Sequence, residues 1–334
     1  MKILITGGAG FIGSHTAVEL LNNDDDVVLL DNFSNAKRNV IDKIRKITGK
    51  DFSCYEGDVQ NENILKDIFD EHYIDAVIHF AAYKAVGESV EKPIMYYDNN
   101  LNSVITLLRV MNENSCKNLV YSSSATVYGS PKSLPIKENF PLSTTNPYGT
   151  TKLMTERILE DVYAAHKDFN ITILRYFNPV GAHESGLIGE EPNGIPNNIM
   201  PYIVKVANGE LPYVNVFGDD YDTHDGTGVR DYIHVVDLAK GHINACHKIK
   251  ESGLKYYNLG TGTGYSVLDL INSFSKINNV DVEYKITSRR PGDIASCYSD
   301  PTKANEELDW KAEKGLEEMC KDAYNFVKKN SSLY

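Results

Sequence analysis

The fold of this 334-residue chain is determined largely by its N-terminal segment, Lys2-Ile3-Leu4-Ile5-Thr6-Gly7-Gly8-Ala9-Gly10-Phe11-Ile12-Gly13. Its first five residues predict a short buried strand, and the glycines that follow predict a tight turn into a periodic helix over residues 12–21. Gly7 permits the turn, Gly10 lets backbone N–H groups approach a pyrophosphate, and Gly13 allows the helix to pack closely on the strand. This order of strand, glycine turn and helix is typical of a dinucleotide-binding fold.

A carboxylate follows the second predicted strand. Residues 27–30 form that strand, and Asp31 comes directly after it, 18 residues beyond Gly13. A carboxylate at this spacing accepts hydrogen bonds from an adenosine ribose and repels a 2′-phosphate. NAD is therefore favoured over NADP as cofactor, although Lys37 and Arg38 could serve a phosphate.

Strands and helices alternate through the first half of the chain, which predicts an α/β fold with a Rossmann-type, doubly wound parallel sheet. The further predicted strands are residues 52–56, 76–80, 119–122 and 171–176, and the helices are residues 62–72, 93–112 and 148–167. From about residue 178 the chain becomes rich in Pro, Gly and Asn, with shorter elements such as 214–217 and 255–259. We expect an NAD-binding domain over residues 1–177, with later segments around 215–240 interleaved, and a second, smaller α/β substrate lobe mainly over residues 178–334.

Tyr148 and Lys152 stand four residues apart at the start of a predicted helix. This spacing places both side chains on one face, where an ammonium can lower the pKa of a phenol. Ionising the phenol near neutral pH requires a shift of about three units, roughly 4 kcal/mol, which Lys152 and an oxidised nicotinamide could supply. Ser124 follows the predicted strand 119–122 and could hydrogen-bond a substrate hydroxyl beside Tyr148. The pattern predicts a phenol that acts as a base.

Small or polar residues also follow other strands of the predicted sheet, where ligands bind in open parallel sheets. Asp58 and Val59 could bracket an adenine, and the small side chains of Ala81 and Ala82, after Phe80, let the backbone approach a dinucleotide. Lys84 is within reach of a ribose or a phosphate, and Ser122 directs its hydroxyl at the same crevice.

The composition is that of an ordinary globular protein with a net charge of −12. No basic stripe is present in the sequence, so nucleic acid is not an expected partner, whereas an anionic substrate would need only a few local arginines. Five cysteines without CxxC spacing favour reduced thiols in the cytoplasm. Nine histidines without metal-ligand spacing, and an acidic stretch at residues 219–225 that we interpret as a solvated loop, predict no metal. We also expect no signal peptide and no membrane span, because no apolar run approaches about 20 residues.

Taken together, these segments resemble the extended short-chain dehydrogenase/reductases and, within them, the UDP-glucose 4-epimerase family. The glycine turn and the Tyr-x-x-x-Lys pair mark only the wider superfamily. The resemblance to the epimerase family rests on residues 175–182, 194–198 and 228–234. It extends nearly from end to end of the chain.

This resemblance implies reversible interconversion of UDP-galactose and UDP-glucose through transient oxidation at C4, with tightly bound NAD and with Tyr148 as the base. Ser124 would hold O4, and Lys152 would lower the phenol pKa and bind the nicotinamide ribose. The implied cofactor residues are Gly7, Gly10, Phe11, Ile12, Gly13, Asp31, Asn32, Asp58, Val59, Phe80, Ala81, Ala82, Lys84, Asn99, Ser122, Tyr148, Lys152 and Phe177. The implied substrate residues are Lys84, Ser124, Tyr148, Asn178, Asn198, Ile199, Val216, Phe217, Arg230, Tyr232, Arg290, Asp293 and Cys297. The resemblance also implies a homodimer.

Two rival functions and one question of substrate range remain open at this stage. A related sugar-nucleotide dehydratase shares the fold, but Ser124-Ala125-Thr126 carries none of the acidic groups that such an enzyme uses for elimination. A catalytically silent NAD sensor would usually lack Tyr148, Lys152 or Ser124. A small Cys297, where some members of the family carry Tyr, could also admit the N-acetyl group of UDP-GlcNAc and UDP-GalNAc.

Overall fold

The computed structural model describes residues 1–194, 196, 198–251, 253–290 and 292–330. Ile195, Asn197 and Pro291, which belong to segments of the family resemblance, lie outside the described residues. The strands are β1 (Lys2–Thr6), β2 (Asp26–Asp31), β3 (Ser53–Glu56), β4 (Ala76–His79), β5 (Asn118–Ser124), β6 (Asn170–Tyr176), β7 (Asn178–Val180), β8 (Val214–Phe217), β9 (Val229–Arg230), β10 (Tyr232–His234), β11 (Leu254–Leu259), β12 (Tyr265–Ser266), β13 (Tyr284–Thr287) and β14 (Ser296–Cys297).

The helices lie between these strands and after them. They are α1 (Phe11–Asn22), α2 (Val40–Thr48), α3 (Glu62–Glu71), α4 (Val86–Glu91), α5 (Pro93–Glu113), α6 (Pro147–Ala165), α7 (Ile199–Ala207), α8 (Val235–His247), α9 (Val267–Asn278), α10 (Thr302–Glu307) and α11 (Leu316–Asn330). Short 3-10 turns occupy Ala125–Tyr128 and Ile249–Glu251.

Seven parallel strands form the central sheet, in the order β11-β6-β5-β4-β1-β2-β3. The chain runs outward from β1 to β3 and then returns to the other side of β1 at β4. This reversal beside β1 creates a crevice at the carboxyl ends of the strands, where doubly wound sheets bind ligands. The predicted Rossmann-type fold is confirmed.

Apolar side chains of the sheet point alternately to two cores. Ile3 and Ile5 pack on one face with α1, α2 and α8, whereas Leu4 packs on the other face with α3, α5 and α6. Alternate residues of a strand face opposite sides, so a strand with nearly continuous apolar residues must be covered on both. The run Lys2–Thr6 therefore requires helices on both faces of the sheet.

The second half of the chain differs from the sequence expectation of short elements, because α8, α9 and α11 are helices of 13, 12 and 15 residues. In α8, apolar residues occur on several sides of the helix, since it packs against α1 and the sheet at once, and this obscures its period.

The segment that returns to the central sheet comprises α8 and β11. Helix α8 packs against α1, and β11 pairs with β6. Strand β8, within the region where we expected interleaving, pairs instead with β13 in a separate two-stranded sheet. The division of the chain at residue 177 stays a prediction.

A second cluster of elements is formed by the later part of the chain. It contains α7, α9 and α11, whose buried residues pack with those of β8 and β10. A three-stranded sheet in the order β12-β9-β14 supports the segment around Arg230. Among the helices described, none is both long and apolar enough to cross a membrane.

Candidate active site

The glycine turn after β1 is a close-packed cradle. Gly7 has a φ of +69°, and a Cβ at this position would lie 2.8 Å from the Ala81 nitrogen. A Cβ on Gly13 would lie 2.3 Å from the Gly7 carbonyl oxygen. A Cβ on Gly10 would meet that same oxygen at 3.3 Å and no other described atom within 4 Å. Gly10 is the N-cap residue of α1 and has no side chain to cap the first-turn N–H groups. Those groups fit the pyrophosphate of a dinucleotide, which also carries the charge that a helix N-terminus favours.

Asp31 joins the glycine turn to the end of β2. Its two carboxylate oxygens accept hydrogen bonds from the Ala9 nitrogen at 2.9 Å and the Phe33 nitrogen at 2.8 Å. Burial raises the pKa of Asp31, and these two N–H donors lower it. Each carboxylate oxygen has a further acceptor position, so the carboxylate can still bind the ribose hydroxyls of an NAD.

The predicted adenine residues lie together beside Asp31. Asn32 donates to Asp58 across 2.9 Å, the Gln60 nitrogen donates to the other Asp58 oxygen, and Val59 is buried. The Phe80 ring lies 4.7 Å from the His242 ring, between centroids. These hydrogen-bond donors and acceptors beside Asp31 fit the adenosine part of NAD.

Tyr148 and Lys152 lie in the first two turns of α6. Asn146 caps this helix by accepting from the Gly149 nitrogen at 2.8 Å. The Lys152 ammonium lies 6.0 Å from the centre of the Tyr148 ring and donates to the Ser122 carbonyl at 2.6 Å. The hydrogen bond to β5 holds the Lys152 ammonium beside the Tyr148 ring.

The electrostatics of this pair differ from the sequence expectation. Burial raises the pKa of Tyr148 to about 12, and a hydrogen bond from Ser124 lowers it. Burial also lowers the pKa of Lys152 to about 7, while the Glu156 carboxylate raises it. The lysine therefore does not by itself produce an acidic phenol, because both groups are removed from water and the ammonium is directed at β5.

A buried ion pair supports Lys152 from the next turn of α6. Arg175 on β6 binds both oxygens of Glu156, at 3.0 and 2.6 Å, and Ser123 donates to the same carboxylate at 2.5 Å. Both partners are almost fully buried. Sequence reasoning missed this pair, although an arginine inside the apolar run of β6 is a signal that a buried acid should be sought.

The predicted phosphate-binding arginines meet at one carboxylate. Arg290 donates from Nε to Asp293 at 2.9 Å, and Arg230 lies 3.8 Å from the other Asp293 oxygen. The Arg290 guanidinium also lies 4.8 Å from the centre of the Phe217 ring. Arg230 also donates hydrogen bonds to the main-chain carbonyls of Val229 and Ile294.

Glu190 is a second residue that the sequence reasoning missed. Its carboxylate accepts from Asn198 at 2.8 Å and pairs with Lys84 at 3.3 Å, so it joins two predicted substrate residues. Nothing in the local sequence distinguishes it from its neighbour Glu191.

Several predicted substrate side chains lie partly or wholly within cores. Val216 and Tyr232 are 1% and 3% exposed and pack in the cluster around α7, α9 and α11, against which Ile199 is partly buried. Any contact from Val216 to a base would therefore have to come from its main chain. Cys297 packs partly buried in a small cluster with Phe177, beside Tyr128.

Two predicted asparagines are held by hydrogen bonds within the protein. Asn99 donates to Asn100 and accepts from Gln60. Asn178 begins β7, and its nitrogen donates to the Asp231 carbonyl.

Three side chains with metal-ligating atoms come together near the acidic stretch. Ligand atoms of His224, Asp225 and Asp269 lie within 4.8 Å of one another. The two aspartates also bond to Ser266, which caps α9, so a structural role accounts for their placement.

The comparisons with known proteins agree with this geometry. Residues 4–323 match the family described as GDP-mannose 4,6 dehydratase. The chain is 57% identical to the UDP-glucose 4-epimerase of Pasteurella multocida and 55% identical to that of Bacillus subtilis, over 100% of this chain and 99% of each relative. The crystal structure of the Bifidobacterium longum UDP-glucose 4-epimerase with NAD+ and UDP superposes with a TM-score of 0.97, at 55% identity and full coverage of both chains.

The chain belongs to the UDP-glucose 4-epimerase family.

The family resemblance predicted from the sequence is thereby confirmed. Within this family the likeness is not confined to close relatives, since the Campylobacter jejuni UDP-Glc/GlcNAc 4-epimerase matches at 35% identity with a TM-score of 0.85, over 98% of this chain and 99% of that one.

Proposed function

We propose that this chain interconverts UDP-galactose and UDP-glucose by transient oxidation at C4 of the hexose, with NAD as a tightly held cofactor. The proposal depends mainly on the position of three residues. Ser124 ends β5, at the same end of the parallel sheet as the Gly7–Gly13 turn, and Tyr148 and Lys152 lie in the first two turns of α6. Relatives at 55–57% identity over the whole chain are UDP-glucose 4-epimerases.

In this proposal NAD is held by the α1 N-terminus, Asp31 and the strand-end residues, and it supplies a reversible acceptor for the C4 hydrogen. The chain's own groups manage the proton on O4. Tyr148 takes that proton as C4 is oxidised and returns it when C4 is reduced from the opposite face. Ser124 orients O4, and Lys152 holds the cofactor ribose. The positive charges of Lys152 and of the oxidised nicotinamide together favour the ionised phenol.

The uridine diphosphate is proposed to lie across the second group of elements. Arg230 and Arg290 supply guanidinium groups that match phosphate oxygens, and both are close to Asp293. Phe217 is 37% exposed and offers a ring face to the uracil. Asn178 and Asn198 would contact the sugar and the diphosphate.

One assay separates this activity from its rivals. The purified chain is mixed with UDP-galactose without added NAD, and the products are identified by chromatography. We expect UDP-glucose. A 4-keto-6-deoxy sugar would indicate a dehydratase, and no conversion would indicate an NAD sensor.

The sugar pocket is proposed to accept N-acetylated substrates as well. The support is Cys297, a small side chain at the end of β14 in register with Arg230 on β9. We expect the chain to interconvert UDP-GlcNAc and UDP-GalNAc, and Cys297→Tyr to remove this activity while leaving UDP-galactose turnover. Absence of UDP-GlcNAc turnover in the unmodified chain would reject the idea.

A homodimer in the cytoplasm completes the proposal. Apolar side chains are exposed along three adjoining helices: Val86 and Val90 on α4, Ile94 and Ile105 on α5, and Met154 on α6. We call these five residues the α4–α6 apolar face. Large exposed apolar areas mark interaction surfaces. The five free cysteines suit a reducing compartment.

A further inference from the structure

Thr126 holds the Ser124 hydroxyl from one side. The Ser124 oxygen accepts from the Thr126 nitrogen at 3.2 Å and from the Thr126 hydroxyl at 3.0 Å. A hydroxyl oxygen has two acceptor positions and one proton to donate. With both acceptor positions used, Ser124 can make a further strong hydrogen bond only by donating its own proton.

Ser124 keeps one proton to donate, and the Tyr148 phenol and a substrate O4 are the groups that can accept it. The hydrogen bond between Ser124 and Tyr148 lowers the pKa of the phenol, which is the effect of a donor that stabilises the phenolate. Ser124 is therefore a donor toward the reacting side of the site and an acceptor toward Thr126.

Thr126 also fills the space between the 3-10 turn and the first turn of α6. A Cβ on Gly149 would lie 3.2 Å from the Thr126 carbonyl oxygen and 3.4 Å from its Cβ and its hydroxyl. Gly149 follows Tyr148 directly. Thr126 therefore contacts Ser124 and also packs against the residue next to Tyr148.

We propose that Thr126 is a positioning residue that restricts Ser124 to hydrogen-bond donation, so that Tyr148 alone receives the O4 proton. This inference rests on the proposed function and goes beyond it, because it assigns the donor and acceptor roles of Ser124 and names the residue that sets them. On oxidation of C4 the O4–H bond breaks and a new O–H bond forms on the phenolate of Tyr148. Ser124 keeps its own proton throughout, and the reverse step returns the Tyr148 proton to O4.

The test compares Thr126→Val with Thr126→Ser in the purified, cofactor-containing protein. Valine keeps the shape and the backbone donor but removes the hydroxyl, whereas serine keeps the hydroxyl. The rate of reduction of the bound cofactor by UDP-galactose is measured in a single turnover across the pH range. Thr150→Val is the matched control, because the Thr150 hydroxyl bonds to the Asn146 carbonyl and the Thr144 hydroxyl, just before α6, and not to Ser124.

We expect Thr126→Val to slow the reduction by about three- to tenfold, the loss of one hydrogen bond. Its low-pH limb should move upward by about half a unit to one unit, because a Ser124 hydroxyl with one acceptor position free donates to the phenolate less of the time. Thr126→Ser should keep the limb of the unmodified chain, and UDP affinity should be the same in all variants.

An unchanged low-pH limb of the rate profile in Thr126→Val would overturn the inference. An equal shift of this limb in Thr126→Ser or Thr150→Val would also overturn it. Failure of the proposed function is a separate outcome, because the unmodified chain would then fail to convert UDP-galactose before any variant is compared.

Discussion

At the scale of single residues, the protonation states of Tyr148 and Lys152 are set mainly by burial. The sequence predicted the pair and its spacing correctly, because i and i+4 share a helix face whatever surrounds them. It could not predict the sign of the effect on the phenol. The pKa depends on how far each group is removed from water and on where the ammonium donates, and both are set by distant parts of the chain.

Lys152→Met is expected to abolish turnover and to change the pH dependence of stability. Burial lowers the pKa of Lys152 to about 7, from 10.5 for an unperturbed lysine. Between these values the unfolded chain holds a proton that the folded chain lacks, so stability from this group rises with pH over that window. Below it, the folded chain carries the full cost of a buried charge.

Thermal unfolding is therefore followed from about pH 6 to about pH 9. The Tm of Lys152→Met should exceed that of the unmodified chain by an amount that decreases as the pH rises. A Tm difference that does not vary with pH would show that the lysine stays charged in the folded chain.

At the scale of elements, the glycine turn could be predicted in full, whereas the Glu156–Arg175 pair could not. A turn between a strand and a helix is a local feature, so the spacing of Gly7, Gly10 and Gly13 is sufficient evidence. The ion pair joins α6 to β6, and only the pairing of β5 with β6 brings Ser123 to the same carboxylate.

Gly13→Ala is expected to weaken both the fold and cofactor retention. The added Cβ would meet the Gly7 carbonyl oxygen at 2.3 Å and the Gly8 Cα at 2.8 Å, so α1 must move away from β1. Overpacking of this kind costs about 1–3 kcal/mol. Chemical denaturation and the NAD content of the purified protein measure the two effects.

Gly87→Ala is the matched control, since a Cβ there meets none of the described atoms within 4 Å. It should be neutral or slightly stabilising in its helix. Equal stability and NAD content in Gly13→Ala and Gly87→Ala would contradict the close packing of the turn.

Removing one partner of the buried ion pair should lower the free energy of unfolding more than replacing both partners. Glu156→Met leaves the Arg175 guanidinium buried and uncompensated, at a cost of about 3–5 kcal/mol. The double variant Glu156→Met/Arg175→Met removes both charges and should recover part of that loss. Urea unfolding of the two single variants and the double variant measures the coupling, and additive losses would mean that the pair is not coupled.

At the scale of the whole molecule, the sequence predicted the fold class and most strands of the first half to within a residue or two. The second half was less predictable, because its helices pack on several sides and the return of β11 to the sheet is a non-local pairing. The family resemblance identified the candidate substrate residues, but it did not predict which of them are buried. Val216 and Tyr232 have core positions that alternation along a strand of three or four residues does not reveal.

Ile94→Glu is expected to disrupt the homodimer without unfolding the protomer. Ile94 is 83% exposed within the α4–α6 apolar face, so a charge there costs the isolated chain little. Sedimentation should show the dimer mass for the unmodified chain and a lower mass for the variant. Tyr73→Glu, at an equally exposed residue outside this face, should stay dimeric. An unchanged mass for Ile94→Glu would place the interface elsewhere.

The central claim is that hydrogen leaves C4 of the sugar and returns to it within one site. The most direct measurement incubates the purified chain, without added NAD, with UDP-galactose that carries deuterium at C4, and follows the label in UDP-glucose by mass spectrometry and NMR. We expect UDP-glucose with its deuterium still at C4, because the label passes to the bound cofactor and back without exchange with water. UDP-glucose that has lost the label to solvent, or no UDP-glucose at all, would contradict it.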